Sequence, residues 1–245
     1  SAIVPVYWKE TTAPGSNGSF NKSTLPFTIS RSATDTFTMS QYDWRTREVG
    51  SSESNPYPSF VLNKTPIQDI GLFQNRLYLI SQETVLMSAV DVYNDLWLES
   101  AFYNTQADPF EVFADTQKLN ILSYSNQFDG DLIMFSPNGQ FMMAGDVTHT
   151  YESAAIMTVA QYESDLLSDP VISGDQILFA TQYGSNAGLR DFYTDNYAST
   201  KRSRPLTDHV NDYIPGRIRH LSTSTNIDCL VALNSTDKST MWLYE

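Results

Sequence analysis

The chain is poor in the residue types from which most chemical sites are built. In 245 residues it has one cysteine, Cys229, and three histidines, His149, His209 and His220. One cysteine excludes an internal disulfide and any C-x-x-C metal motif. Set against the apolar run Leu230-Val231-Ala232-Leu233, it reads as a buried core thiol. The histidines stand apart, without a second histidine or a carboxylate at H-x-x-x-H or H-x-E spacing, so the sequence writes no zinc site. No apolar run approaches the roughly 20 residues of a membrane-spanning helix. A charged-then-apolar leader is also missing, and the chain opens at Ser1-Ala2-Ile3-Val4 without a methionine, which reads as a fragment or a processed product. Positive charge is scarce: 15 Lys+Arg face 28 Asp+Glu, a net charge of −13. Such a surface repels nucleic acid and anionic membrane, which argues against general DNA or RNA binding. Its plain consequence is a well-solvated surface. A passage that DNA crosses without sticking is the sharper one.

What the chain does have is short apolar runs joined by polar turns. In "DGDLIMFSPNGQFMMA", residues 129–144, two runs too short for helices flank Ser136-Pro137-Asn138-Gly139. The stretch predicts a β-hairpin in which Asn138-Gly139 supplies the positive φ angles of a tight turn. Three other segments repeat the pattern: "NRLYLISQETVLMS" (75–88), "DQILFATQYGSNAGLRDFY" (175–193) and "DCLVALNSTDKSTMWLY" (228–244). Leu77, Leu132, Ile177 and Leu230 hold matching positions, at steps of 55, 45 and 53 residues. Each hairpin follows a further strand candidate, at 67–73, 119–126, 166–173 and 218–224. Repeated strand-hairpin units at such steps predict an all-β chain, a β-propeller-like array of antiparallel blades with irregular insertions and little helix. A plain antiparallel sandwich is the competing architecture. Residues 1–66 read as the first strands and loops of the propeller region, with alternation over 27–44 and an extended or turning stretch at Pro56 and Pro58. Residues 67–245 read as the repeated blades of the same domain. The best helical stretch is 92–113, with Asn94, Asp95 or Ser100 as caps. Residues 151–162 lean towards strand.

Chemical motifs are few. Asp129-Gly130-Asp131 lacks the third ligand of an Asp-x-Asp-x-Asp calcium loop and reads as a turn. The pairs Asp108/Glu111 and Glu163/Asp165 resemble a glycosidase acid and base by composition alone. "APGSNG" (13–18) and "GSNAG" (184–188) read as turns rather than nucleophile elbows. No nucleophile–base pair or metal set stands at usable spacing, so the expectation is a non-enzyme with no catalytic, cofactor or metal residue. One local departure is positive: Lys201, Arg202 and Arg204, then Arg217, Arg219 and His220, concentrate basic charge in an acidic chain. These residues are candidates for contact with an acidic neighbouring subunit or a phosphate backbone, against the alternative of a solvated loop.

Several stretches resemble one family, the tail tubular protein B or tail nozzle proteins of short-tailed bacteriophages. In "WRTREVGSSESNPYPSF" (44–60), Trp44, Arg47, Gly50, Asn55, Pro56, Pro58, Ser59 and Phe60 fit the family pattern. In "IQDIGLFQNRLYLISQETVLMSAVDVYNDLW" (67–97), Phe73, Asn75, Arg76, Leu77, Ser88, Asn94 and Trp97 do so. "NKSTLP" (21–26), "LRDFY" (189–193), "LTDHVNDYIPGRI" (206–218) and "MWLYE" (241–245) are similar to later and earlier elements of the same pattern, in collinear order. Ser51 and Asn21 stand where the family has Asp, and the 201–204 loop is basic where the family is acidic or amide-rich. The resemblance implies a virion structural protein with a β-propeller part, assembled in the host cytoplasm. It implies a homo-hexameric tubular nozzle that joins the tail adaptor protein and tail fibres and meets the host envelope indirectly. DNA would pass through it without sequence-specific binding. Arg76 and Trp44 would then be structural. A glycan-binding or glycan-cleaving propeller acting on the host surface is the alternative.

Overall fold

The computed structural model describes residues 9–16, 18–114, 119–195, 197, 200–224, 226 and 228–244. The opening Ser1-Ala2-Ile3-Val4, Asn17 of the first glycine turn and Glu245 of the last motif lie outside them. The described chain is all-β. It begins with an isolated two-stranded hairpin, β1 (Phe27–Ala33) and β2 (Thr36–Gln41), and a short helix, α1 (Ser59–Asn63).

Each predicted hairpin then supplies the second and third strands of its own antiparallel sheet of consecutive strands. Sheet one is β3 (Asp69–Phe73), β4 (Arg76–Ser81), β5 (Thr84–Met87) and β6 (Phe110–Phe113). Sheet two is β7 (Tyr124–Phe128), β8 (Asp131–Ser136), β9 (Gly139–Met143) and β10 (Met157–Ala160). Sheet three is β11 (Val171–Ser173), β12 (Gln176–Tyr183), β13 (Asn186–Asp195) and β14 (Thr200–Pro205), with β15 (Ile214–Pro215) paired to β13. Sheet four is β16 (Ile218–Ser224), β17 (Cys229–Asn234) and β18 (Met241–Tyr244).

The sheets stack face to face, and the period of two along each strand decides which side chain enters which layer. Leu132 and Met134 of β8 join Ile80, Val85 and Met87 of sheet one, whereas Ile133 and Phe135 join Ile177, Phe179 and Phe192 of sheet three. Leu178 and Ala180 face the other way, onto Leu221, Leu230 and Ala232 of sheet four. The outer face of sheet one, through Leu79 and Leu86, is covered by Phe20, Leu25, Trp44, Phe60, Leu96 and Trp97. All four matched residues (Leu77, Leu132, Ile177 and Leu230) therefore point towards the layer that precedes their own sheet.

The first strands of the sheets lie side by side, β3 against β7, β7 against β11 and β11 against β16. Side chains join them. Asp69 accepts hydrogen bonds from Ser125 N at 2.7 Å and Ser125 Oγ at 2.5 Å. Tyr78 Oη also meets Ser125 Oγ at 2.8 Å, and Gln127 donates to the Leu72 carbonyl. Further along, Asn126 Nδ2 donates to Pro170 O at 3.3 Å and Thr223 Oγ1 to Ile172 O at 2.9 Å.

Two sequence expectations are corrected. Residues 92–113 form turns and then β6, not a helix. The cap candidates are used elsewhere: Asp95 accepts from Trp97 N at 3.1 Å, Asn94 Nδ2 donates to Asp43 O at 2.8 Å and Ser100 Oγ donates to Glu10 at 2.9 Å. Asp108 fixes the turn before β6 by accepting from Thr105 N at 2.6 Å and Glu99 N at 3.2 Å. In the β8–β9 hairpin the turn residues are Pro137 and Asn138, and neither Asn138 nor Gly139 has positive φ. Proline fixes a negative φ at the first turn position and so excludes the mirror-image turn. The positive pair occurs one turn earlier, at Asp129 (φ 55°) and Gly130 (φ 85°). The strand expectation for 151–162 holds for β10, while 151–153 is a turn. Pro58 leads directly into α1 at Ser59.

Candidate functional site

The family-like motifs converge on a clamp that fixes residues 42–60 to sheet one and to the 89–108 loop. Arg47 lies buried, with its Nη1 donating to Asn55 O at 2.7 Å and its guanidinium over Tyr57 (5.7 Å) and Trp97 (5.2 Å). Asn55 is buried too. Its amide donates to Val49 O and Leu98 O, and its carbonyl accepts from Leu98 N, so one side chain ties segments 43 residues apart. Phe20 stacks on Trp97 at 4.8 Å, and Trp97 Nε1 donates to Arg45 O at 3.0 Å. Trp44 meets Tyr42 edge-on at 5.1 Å. Gly50 sits at φ +78° against Ser54 and Ala101, where a side chain would be strained and crowded.

Arg76 is the second centre of the clamp. Buried at the start of β4, it donates to the carbonyls of Ser88 (2.6 Å), Gln106 (2.6 Å), Asp108 (2.8 Å) and Ala107 (3.3 Å), and lies over the Phe110 ring. Burial lowers its pKa, and the nearby Asp108 partly offsets this. A guanidinium that gathers four backbone oxygens is a structural knot, since it has little left to offer a substrate. Ser88 Oγ completes it by accepting from Leu77 N at 2.9 Å.

The basic residues do not form one patch. Lys201 Nζ is largely buried between Asp131 (2.9 Å) and Asp129 (3.6 Å), so an ammonium fills the place that a calcium ion would take in the Asp129-Gly130-Asp131 turn. Arg202 Nε meets Asp195 at 3.2 Å. Arg204 forks onto the fully buried Asp191 through Nε (2.9 Å) and Nη2 (2.7 Å), which raises the arginine's pKa. Arg217 grips Asp165, with Nε at 2.9 Å and 3.1 Å from the two oxygens. Its pKa is raised by that hydrogen bond. Arg219 is exposed and makes no ion pair among the described residues. The carboxylate partners were missed in the sequence. Asp191 pairs with Arg204 across β13 and β14, a register that sequence spacing does not display.

Three of the four carboxylates suggested for acid–base chemistry are also occupied, and the fourth, Glu163, is exposed. Glu111 accepts the Ser59 amide at the start of α1 at 2.7 Å, and burial raises its pKa, opposed by that hydrogen bond. Asp108 holds the turn described above, and Asp165 holds Arg217. A cleft of about 630 Å³ opens beside the clamp between Arg45, Glu48, Asp95, Trp97 and Glu99. Of its acidic residues, Asp95 pairs with Arg45 at 2.9 Å and Glu10 accepts from Ser100 Oγ and Ala101 N. His149 is buried with Nε2 at 2.7 Å from Ala144 O, and His209 and His220 are exposed. Among the described residues no group of three His, Cys, Asp or Glu side chains could hold a metal.

Comparison with known proteins gives the same order of motifs a wider setting. The family described as bacteriophage nozzle protein matches residues 4–245. The tail tubular protein gp12 of Escherichia phage T7 is 26% identical over 239 residues, which are 97% of this chain and 30% of that protein. The chain thus spans about a third of the length of this relative. Among solved structures, a luciferin-regenerating enzyme aligns with 86% of this chain and 66% of its own at a TM-score of 0.41 and 9% identity.

Proposed function

Because the chain belongs to the bacteriophage nozzle protein family, we propose that it is a structural part of a short phage tail and forms a length of the conduit for DNA ejection. The observation that carries this reading is the family match over residues 4–245. The use of the motif residues supports it: Arg47, Asn55, Arg76 and Trp97 spend their polar groups on backbone, which suits a rigid subunit rather than a reaction centre. In this reading the chain is not an enzyme. The stretches 1–66 and 67–245 would belong to one propeller-type domain, a view supported by the stacked sheets of the described residues with their first strands side by side.

The protein would sit in the virion as a homo-hexameric ring assembled in the host cytoplasm, between the tail adaptor protein and the tail fibres, and would meet the host envelope through them. Lys201 serves within the subunit. Arg202, Arg204 and Arg217 keep exposed edges beyond their internal carboxylates, and with Arg219 they offer contact to an acidic neighbouring subunit. Gold-labelled antibody against this chain should mark the tail tip of intact virions in electron micrographs. Label confined to the host cytoplasm or to capsid interiors would sink the tail reading.

A further inference from the structure

The loop between β9 and β10 reaches across the end turns of sheets one and two. On one side Gly145 N donates to Asp131 Oδ1 at 2.9 Å, and the glycine lies so close to Gly130 O that a Cβ would not fit. On the other side the loop meets Gln74, which stands at φ 48° in the turn between β3 and β4. The Gln74 amide donates to Val147 O at 2.7 Å and Gly145 O at 3.2 Å, and its carbonyl oxygen accepts from His149 N at 3.1 Å. The loop is thus a strap across two sheets.

Residues 146–148 and 151–153 of the strap are exposed, while His149 and Thr150 turn inward. The Thr150 hydroxyl is provided for, 3.1 Å from Ser153 Oγ. The imidazole is provided for at one end only. His149 Nε2 lies 2.7 Å from Ala144 O, and a carbonyl only accepts, so Nε2 carries the proton of the neutral ring. Nδ1 is enclosed and has no hydrogen-bond partner, and the ring stands 6.1 Å from that of Phe73. A neutral ring gives up one acceptor bond there. A second proton at Nδ1 would add a buried charge and a donor that nothing accepts, which costs much more.

The charged groups around the strap are committed elsewhere. Asp131 holds Gly145 N and the Lys201 ammonium. On the strap itself Asp146 and Glu152 are exposed, and Glu152 accepts the Tyr151 hydroxyl at 2.8 Å. The Tyr151 phenol feels that carboxylate first and Asp108 more weakly. From the β3–β4 turn come Phe73, Gln74 and Asn75, none of them charged, and Arg76 beyond them is spent on backbone carbonyls. None of these carboxylates hydrogen-bonds Nδ1.

We infer that the strap is a pH-sensitive latch, in which protonation of His149 releases residues 144–153 from the ends of sheets one and two. Opening gives the ring to water, where a histidine takes its proton at about pH 6.5. The open form then binds one proton more than the closed form, so closure weakens as pH falls. One proton linked in this way raises the open population about ten-fold between pH 7.5 and pH 5.5. The inference is independent of the tail reading, and virion labelling does not bear on it.

Hydrogen exchange of the full 245-residue chain, corrected for the intrinsic pH dependence of amide exchange, tests the latch. The His149 and Gly145 amides should exchange about ten-fold faster at pH 5.5 than at pH 7.5, while those of β8 keep their protection. His149→Gln keeps a donor for Ala144 O and cannot take the proton, so its corrected rates should match at the two pH values. Ring nitrogen-15 shifts of the wild type should show Nδ1 without a proton at pH 7.5, a check that stands even if the variant fails to fold. Equal corrected rates in the wild type at both pH values would overturn the inference. So would a proton on Nδ1 at pH 7.5. A pH dependence that survives His149→Gln would overturn it too, by moving the switch to a carboxylate such as Asp131 or Glu152.

Discussion

At the scale of single residues, Glu111 shows how a carboxylate that resembles half of a glycosidase pair is used as a brace. Its oxygen accepts the Ser59 amide where α1 begins, and desolvation holds its pKa above the ordinary glutamate range. An acid with a raised native pKa contributes most to stability while protonated, at low pH. That contribution is lost as pH rises through the ordinary pKa and up to the native one. At neutral pH the buried charge is a cost. Glu111→Gln keeps an acceptor for Ser59 and removes the charge, so it should raise the melting temperature at pH 7 by about 2–4 °C, equivalent to about 1 kcal/mol for a chain of this size. The gain should shrink towards pH 4. A lower melting temperature at pH 7, read by calorimetry, would show that the charged hydrogen bond matters more than its burial.

At the scale of elements, the joins between sheets are made by few polar atoms. Asp69 of β3 receives both the amide and the hydroxyl of Ser125 on β7, beside the Tyr78 hydroxyl. Asp69→Ala leaves those donors without their partner and should cost about 1–3 kcal/mol. Amide exchange at Ser125 should accelerate, while exchange within the β8–β9 hairpin stays as in the wild type. Unchanged exchange at Ser125 would mean that the apolar layer of Leu132, Met134 and their neighbours joins the two sheets unaided. The hairpins themselves were legible in the sequence because period-two alternation and turn residues are local signals. The matched Leu77, Leu132, Ile177 and Leu230 do face equivalent layers. The 92–113 segment was not legible, because its helix-capping residues also suit tight turns, and Arg76, distant in sequence, draws the carbonyls of 106–108 into place. Likewise the basic run at 201–204 could be seen, but its neutralisation by Asp191, Asp195, Asp129 and Asp131 depends on strand register and on contact between sheets two and three.

At the scale of the whole molecule, internal pairing of the basic residues leaves the acidic balance of −13 to govern the outer field. Double-stranded DNA should therefore run unshifted in gels with excess protein at physiological salt, whatever its sequence. A salt-sensitive shift, reduced by Arg219→Ala, would reveal a phosphate site. The stacking of sheets also has a direction. The face of sheet one that begins the series is covered largely by Phe20, Leu25, Trp44 and Phe60, which are earlier in the chain, and finished by Leu96 and Trp97 from the loop before β6. Every later sheet lays its matched residue onto a layer synthesised before it. A ribosome adding about 5–20 residues per second would deliver one such sheet roughly every 3–10 s. The nascent chain can thus settle sheet by sheet, each on the layer made before it. At each moment it leaves one apolar face waiting, so the exposure that invites misassembly is held to a single moving front.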